Sequence, residues 1–130
     1  MANPNIVNVA TINGGNAAWA LTNTITTTLL TVAADVIVKI NSLIVTNIHA
    51  TTAATVSVEV NGMGSGATGV TVASGLATCR LASTMNVPAD DSLVLIDKPI
   101  YLMEDDILRG GASAASTLEL FASYEVINDA

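Results

Sequence analysis

The sequence predicts an all-β fold, a single antiparallel β-sandwich of jelly-roll type. Short runs of alternating Val, Ile, Leu and Thr fill the chain, turn-forming residues separate them about every 8 to 12 residues, and no stretch has the period of an amphipathic helix. The clearest run is 55–61, which places three valines on one face and Ser57, Glu59 and Asn61 on the other, as in a half-buried strand.

The first part of the chain predicts two strand regions followed by a long central strand. We expect a first strand at 5–12, ended by a tight turn at 13–16, because the Asn-Gly-Gly-Asn motif there favours turns. Residues 17–31 predict a second strand region, since they are rich in β-branched Thr. The longest apolar stretch, 36–48, predicts either one central strand or two strands with a bulge near 41–42.

The rest of the chain divides into shorter strands at turn signals. Glycines at 62–67 indicate a loop, and Pro and Asp residues at 88–91 and 97–99 indicate turns. In the last predicted strand, alternate residues from Leu118 to Val126 share one apolar face. The strands predicted after residue 48 are 55–61, one or two within 68–87, 92–96, 100–103, 107–109 and 117–127.

Length and composition indicate one domain with a weakly stabilised core. The 130 residues suffice for a core without disulfides or metals, and we expect a single domain over 1–130 with short extended termini at about 1–5 and 128–130. Hydrophobic residues make up 51% of the chain but aromatic residues only 3%, so the core must consist of small and β-branched side chains. Because such a core adds little stability, we expect a homo-oligomer, with a trimer as one form.

The charge balance argues against a nucleic-acid partner. Eleven acidic residues face four basic ones, for a net charge of -7, and the basic residues lie far apart without aromatic residues between them. No run approaches the roughly 20 apolar residues of a membrane-spanning helix, and the first residues lack a signal-peptide pattern. We therefore expect a soluble protein with no membrane partner.

Candidate catalytic and metal-binding residues are few, and each has a simpler explanation. His49 is the only histidine and no Gly-x-Ser-x-Gly motif is present, so we expect a turn histidine rather than part of a catalytic triad. Cys79 is the only cysteine, and we expect it to be buried as a small apolar side chain. The acidic turns at 90–91 and 104–106 do not match a calcium-binding loop. The sequence thus predicts no enzyme activity, no catalytic residue, no metal and no cofactor.

Five stretches, spread over most of the chain, carry a family resemblance. They are NPNIVNV at 3–9, INSLIVTNI at 40–48, VPADDSLVLIDK at 87–98, IYLMEDDI at 100–107 and ELFASYE at 119–125. Together they resemble a small virion structural protein of tailed bacteriophages, notably those of marine cyanobacteria. The resemblance implies a non-enzymatic component of the phage particle, located in the virion after synthesis in the host bacterial cytoplasm.

Within that family we expect a capsid decoration protein, which docks on the assembled shell and stabilises it. Its partner would then be the major capsid protein or another virion protein. The alternatives are a neck, tail or fibre component, or a module that binds carbohydrate or the host surface. Trp19, the single large anchor, is expected in the core, with an interface role as the alternative. The candidate interface residues are Asn3, Pro4, Asn5, Trp19 and Tyr101.

Overall fold

A computed structural model describes residues 9–62, 72–73 and 75–129, and these residues form strands and turns but no helix. The strands lie in two antiparallel sheets that pack together, so the predicted all-β sandwich is confirmed. The strands are β1 (Val9–Ala20), β2 (Thr28–Thr31), β3 (Val36–Asn47), β4 (Ala54–Asn61), β5 (Thr78–Val87), β6 (Ser92–Ile96), β7 (Ile100–Leu102), β8 (Ile107–Ala112) and β9 (Leu118–Asp129).

Strands that are distant in sequence form most of the pairs in the two sheets. Sheet A has the order β1-β9-β3-β6, with β7 also paired to β3, and sheet B has the order β2-β8-β4-β5. Every pair that the described residues form is antiparallel. Because β1 pairs with β9, both ends of the described chain lie in sheet A, and β1 and β6 or β7 form its edges.

Aliphatic side chains from both sheets fill the space between them. Val56, Val58 and Val60 of β4 are buried, as their alternation predicts. None of the fully buried side chains among the described residues is aromatic, in keeping with the composition. The predicted apolar face of β9 is confirmed, since its members are buried or pack against the core at its margin. These members are Leu118, Leu120, Ala122, Tyr124 and Val126.

The predicted turn at 13–16 is wrong, because these residues lie in the middle of β1. All four pair with β9, from Asn13 opposite Val126 to Asn16 opposite Ser123. A side chain at Gly15 would meet the Tyr124 ring at 2.9 Å, so glycine is required there by packing rather than by a turn. The strands predicted at 5–12 and 17–31 are therefore replaced by β1 and the shorter β2, and residues 5–8 lie outside the described residues.

The central strand and the last strand both run as single elements. β3 is one strand, as in the first predicted alternative. Its register with β9 shifts between Ile40 and Ser42, where the second alternative placed a bulge. β9 extends to Asp129, and Asn128 pairs with both Thr11 and Val36. Residues 128–129 thus belong to sheet A rather than to an extended terminus.

The outer face of β4 is buried as well, in contrast to the half-buried strand that the sequence predicts. Ser57 and Glu59 are each only 5% exposed. Gly111 of β8 is the register partner of Ser57 on this face. A side chain at Gly111 would meet the backbone oxygen of Thr24 at 2.6 Å, and Thr24 belongs to the connection between β1 and β2, so this connection crosses the face. A surface turn therefore covers polar residues that sequence alternation assigns to solvent.

Cys79 is exposed, so the prediction of a buried thiol is wrong. It lies near the start of β5, an edge strand of sheet B whose residues are mostly exposed. Although its register partner Val60 is buried, Cys79 itself is not covered by the opposite sheet. The position on an edge, which local sequence does not specify, decides its exposure.

Asn47 fastens the connection between β3 and β4 to the end of β5. Its buried side chain donates to the backbone oxygens of Thr52 at 2.9 Å and Val87 at 3.0 Å, and accepts from the His49 N–H at 2.9 Å. The Asn47 N–H also donates to the Asp91 oxygen. Every hydrogen-bonding atom of the amide is thus engaged, which holds two connections together at one end of the sandwich.

Candidate docking face

The outer face of sheet A carries apolar residues at one level across four strands. Phe121 of β9 pairs with Ala18 of β1 on one side and with Ile44 of β3 on the other, and Ile44 pairs with Val94 of β6. Val45, the next residue along β3, is fully buried in the core, so this row points the opposite way, toward solvent. Phe121 is 42% and Val94 55% exposed. We call Ala18, Phe121, Ile44 and Val94 the docking row.

An open groove of about 350 Å³ follows part of the docking row. Two residues farther along the strands, the same face carries polar side chains, because Glu119 of β9 pairs with Thr46 of β3. An apolar centre bordered by exposed polar groups is the usual composition of a protein interface. The residues that line the groove are Ala18, Trp19, Ala20, Ile44, Thr46, Glu119, Leu120 and Phe121.

The structure places Trp19 beside this groove and Tyr101 away from it. Trp19 is half-buried, packs against the core and pairs with Leu120. Tyr101 is 51% exposed on β7, where it pairs with Lys39. Strand β3 gives the distance between them, since Lys39 lies opposite Tyr101 and Val45 lies in register with Trp19 through Leu120. Lys39 and Val45 are six positions apart, or about 20 Å. The two aromatic residues therefore do not form one site.

The remaining candidate interface residues, Asn3, Pro4 and Asn5, lie outside the described residues. The sequence reasoning also missed the docking row itself. Its signal was present in β9, where Phe121 stands on the face that Glu119 and Glu125 otherwise make polar. A single exposed apolar residue is common on protein surfaces, and Phe121 becomes informative because the register aligns it with Ala18, Ile44 and Val94 in one patch.

His49 is an exposed turn residue, as predicted. Its Nδ1 atom accepts hydrogen bonds from the backbone N–H groups of Thr51 at 3.2 Å and Thr52 at 3.1 Å. The imidazole therefore acts as an acceptor that closes the turn after β3. No nucleophilic side chain is hydrogen-bonded to it among the described residues.

The acidic turn at 104–106 uses its carboxylates to hold backbone groups. Glu104 accepts from the Asp35 N–H at 2.8 Å, and Asp106 accepts from the Met103 N–H at 2.9 Å. Within the parts of the chain that the structure describes, no three His, Cys, Asp or Glu side chains come together in a way that could hold a metal ion.

Burial makes Asp106 a source of pH-dependent stability. Desolvation raises the pKa of its carboxyl above the ordinary value of 3.8; the neighbouring Asp105 charge raises it further, and the Met103 hydrogen bond opposes the shift. A raised folded-state pKa stabilises the fold below pH 3.8, and this contribution is lost as the pH rises through the folded-state pKa. We expect Asp106→Asn, which keeps an acceptor for Met103, to exceed the wild type in stability at pH 7 and to lose that advantage toward pH 3.8.

Urea unfolding of both proteins at several pH values measures this difference. Asp97→Asn removes the same charge from an exposed turn residue and is the matched control. A constant difference between wild type and Asp106→Asn from about pH 3.5 to 7 would contradict the expected linkage.

Comparison of the chain with known protein families, curated protein sequences and solved structures yields no match. None of the described residues forms a helix that is long and apolar enough to cross a membrane.

Proposed function

We propose that this protein is a non-enzymatic structural component of a tailed-phage virion, a capsid decoration protein that docks on the assembled shell. The observation that carries the proposal is the docking row, in which apolar side chains on four neighbouring strands of sheet A line up on its outer face. Phe121 is 42% exposed, so burying the rest of its side chain stabilises a complex by about 1 kcal/mol. The sequence resemblance to small phage virion proteins supports the same function.

The strand pairing also supports the finer assignment of the sandwich as a jelly roll. The pairs are nested along the chain, because β1 pairs with β9, β2 with β8, β3 with β6 and β7, and β4 with β5. A long hairpin rolled into two sheets produces this nesting. Jelly rolls occur in viral capsid proteins and in lectins, so the docking row, rather than the fold, carries the functional argument.

Decoration would stabilise the shell by adding buried contact area after assembly. A specific interface buries about 1,200–2,000 Å² in total, which is more than the docking row offers alone. The polar side chains of Glu119 and Thr46 would form part of the rim of that interface. Docking as a homo-oligomer would multiply the contacts, so that individually weak sites hold the protein on the particle.

A carbohydrate-binding module is less well supported. A sugar platform requires neighbouring exposed aromatic rings, whereas Trp19 packs against the core and Tyr101 stands alone on β7. A neck, tail or fibre component would use the same docking row on a different partner, and the location of the protein on the particle separates these two functions.

Quantitative mass spectrometry of purified heads and tails tests the proposal. We expect hundreds of copies in the head fraction, measured relative to the major capsid protein. A few copies confined to the tail fraction would replace decoration with a neck or fibre role. Absence from both fractions would refute a virion function.

The docking row can be tested on heads that lack the protein. We expect Phe121→Glu to weaken binding by at least about 100-fold, because it places a charge at the centre of an apolar contact. Met85→Glu is the matched control, since Met85 has a similar exposure of 44% but lies on β5 of the opposite sheet. Co-sedimentation of labelled protein with heads measures the binding. Equal losses in the two variants would show that the docking row is not the contact surface.

A further inference from the structure

The edges of the two sheets differ in how well they are protected against pairing with another chain. An edge strand presents unpaired N–H and C=O groups, and proteins normally block such edges with short strands, charged residues, proline or bulges. The edges here are β1 and β6 or β7 in sheet A, and β2 and β5 in sheet B.

Three of these edges have recognisable protection. β2 has only 4 residues and a register irregularity, while β6 has 5 and β7 has 3 residues. β5 is longer, but its pairing with β4 is interrupted twice, Thr84 has a positive φ of 48°, and Arg80 adds a charge. Each of these features discourages a further strand from adding to the edge.

β1 has none of these protective features over most of its length. It has 12 residues without a charged residue or a proline, and its register with β9 is regular from Thr11 to Ala20. Its residues from Ala10 to Ala20 are all exposed or half-buried. Among the described residues, β1 makes no backbone hydrogen bond outside its ladder with β9. One row of its backbone groups therefore has no partner among the described residues, as pairing with a further strand requires.

Gly14, at the middle of β1, has no explanation in its packing against the residues that the structure describes. A Cβ atom there would meet nothing within 4 Å, and Gly14 does not have a positive φ, whereas Gly15 is required by the Tyr124 ring. Glycine inside a strand costs about 0.5–1 kcal/mol relative to alanine. A glycine that intrachain packing does not need is typical of a place where another backbone approaches closely.

We propose that β1 pairs antiparallel with β1 of a second copy of this chain, about a two-fold axis at Gly14. Opposite residues of an antiparallel pair point to the same face, so this axis places Gly14 opposite its own copy and Asn13 of one chain opposite Gly15 of the other. Each chain carries a net charge of -7, and β1 contributes none of it, so two acidic molecules meet where neither places a charge. The product is a dimer, which is one form of the homo-oligomer that the sequence predicts.

Light scattering coupled to size exclusion, on purified protein over a dilution series, tests this pairing. We expect the wild type to show twice the 13.2 kDa chain mass. Gly14→Lys should dissociate the dimer, weakening it at least about 100-fold, because two like charges meet at the axis. Since the space around Gly14 is open, the substitution leaves the subunit itself unstrained. Ser92→Lys, at the opposite edge of sheet A, is the matched control and should remain dimeric.

Hydrogen exchange locates the contact independently. We expect β1 peptides to be more protected in concentrated wild type than in Gly14→Lys, with β5 peptides equal in both. A second variant, Asn16→Lys, guards against an effect peculiar to position 14. A wild type that is monomeric at all concentrations, or an oligomer that both lysine variants leave intact, would overturn the proposal. Since no phage particle is involved, this outcome is independent of the proposed virion function.

Discussion

Replacing Arg109 with Met is expected to lower the free energy of unfolding by about 3–5 kcal/mol. The Glu59 side chain is only 7% exposed, and its carboxylate forms an ion pair with Arg109 of β8, its direct register partner. Methionine keeps the apolar stem of Arg109 but removes the cation, so a buried negative charge loses its principal partner. Urea unfolding at pH 7 measures the loss.

Arg80 provides the control for this prediction. It pairs with Glu59 from the other side, on β5, but its Nε atom is 3.9 Å from the carboxylate and its side chain is 46% exposed. We expect Arg80→Met to cost less than about 1 kcal/mol, as for a surface ion pair. The double variant Glu59→Met with Arg109→Met should regain most of the stability, because it removes the buried carboxylate together with its partner. If Arg80→Met were as costly as Arg109→Met, burial would not control the strength of these pairs.

The residues around Glu59 also show where the alternation of apolar and polar residues fails to predict burial. Alternation correctly predicts that the valines of β4 and the apolar face of β9 are buried, because each strand packs one face on the core. It assigns Ser57 and Glu59 to solvent, and both are buried. What covers them is the connection between β1 and β2 together with two arginines from neighbouring strands. Contacts between distant segments have no local sequence signal.

The motif at 13–16 illustrates the same limit for strand boundaries. Asn and Gly in succession favour a turn locally, yet β9 supplies pairing partners for all four residues, and this long-range ladder decides the structure. For the candidate sites, local sequence indicates that Phe121 is unusual, but only the register aligns it with Ala18, Ile44 and Val94. Likewise, the sequence alone cannot tell that β1 is an edge strand.

Replacing Asn47 with Asp is expected to destabilise the protein by about 3–5 kcal/mol at pH 7. The side chain is 1% exposed, and its amide donates to the oxygens of Thr52 and Val87. A carboxylate of the same shape still accepts from the His49 N–H, but it cannot donate, so two carbonyl oxygens would face a buried negative charge. The connection after β3 would then separate from the end of β5.

The pH dependence of this variant distinguishes charge from shape. Once protonated, the introduced carboxyl group could again donate one hydrogen bond, so we expect Asn47→Asp to regain part of its stability as the pH falls toward about 4, whereas Asn47→Leu should not. Asn23→Asp makes the same chemical change in an exposed turn and should alter stability by less than about 0.5 kcal/mol. Urea unfolding at pH 7 and pH 4 compares the three variants. If Asn47→Asp matched the wild type at pH 7, the amide donors would not be what joins the two connections.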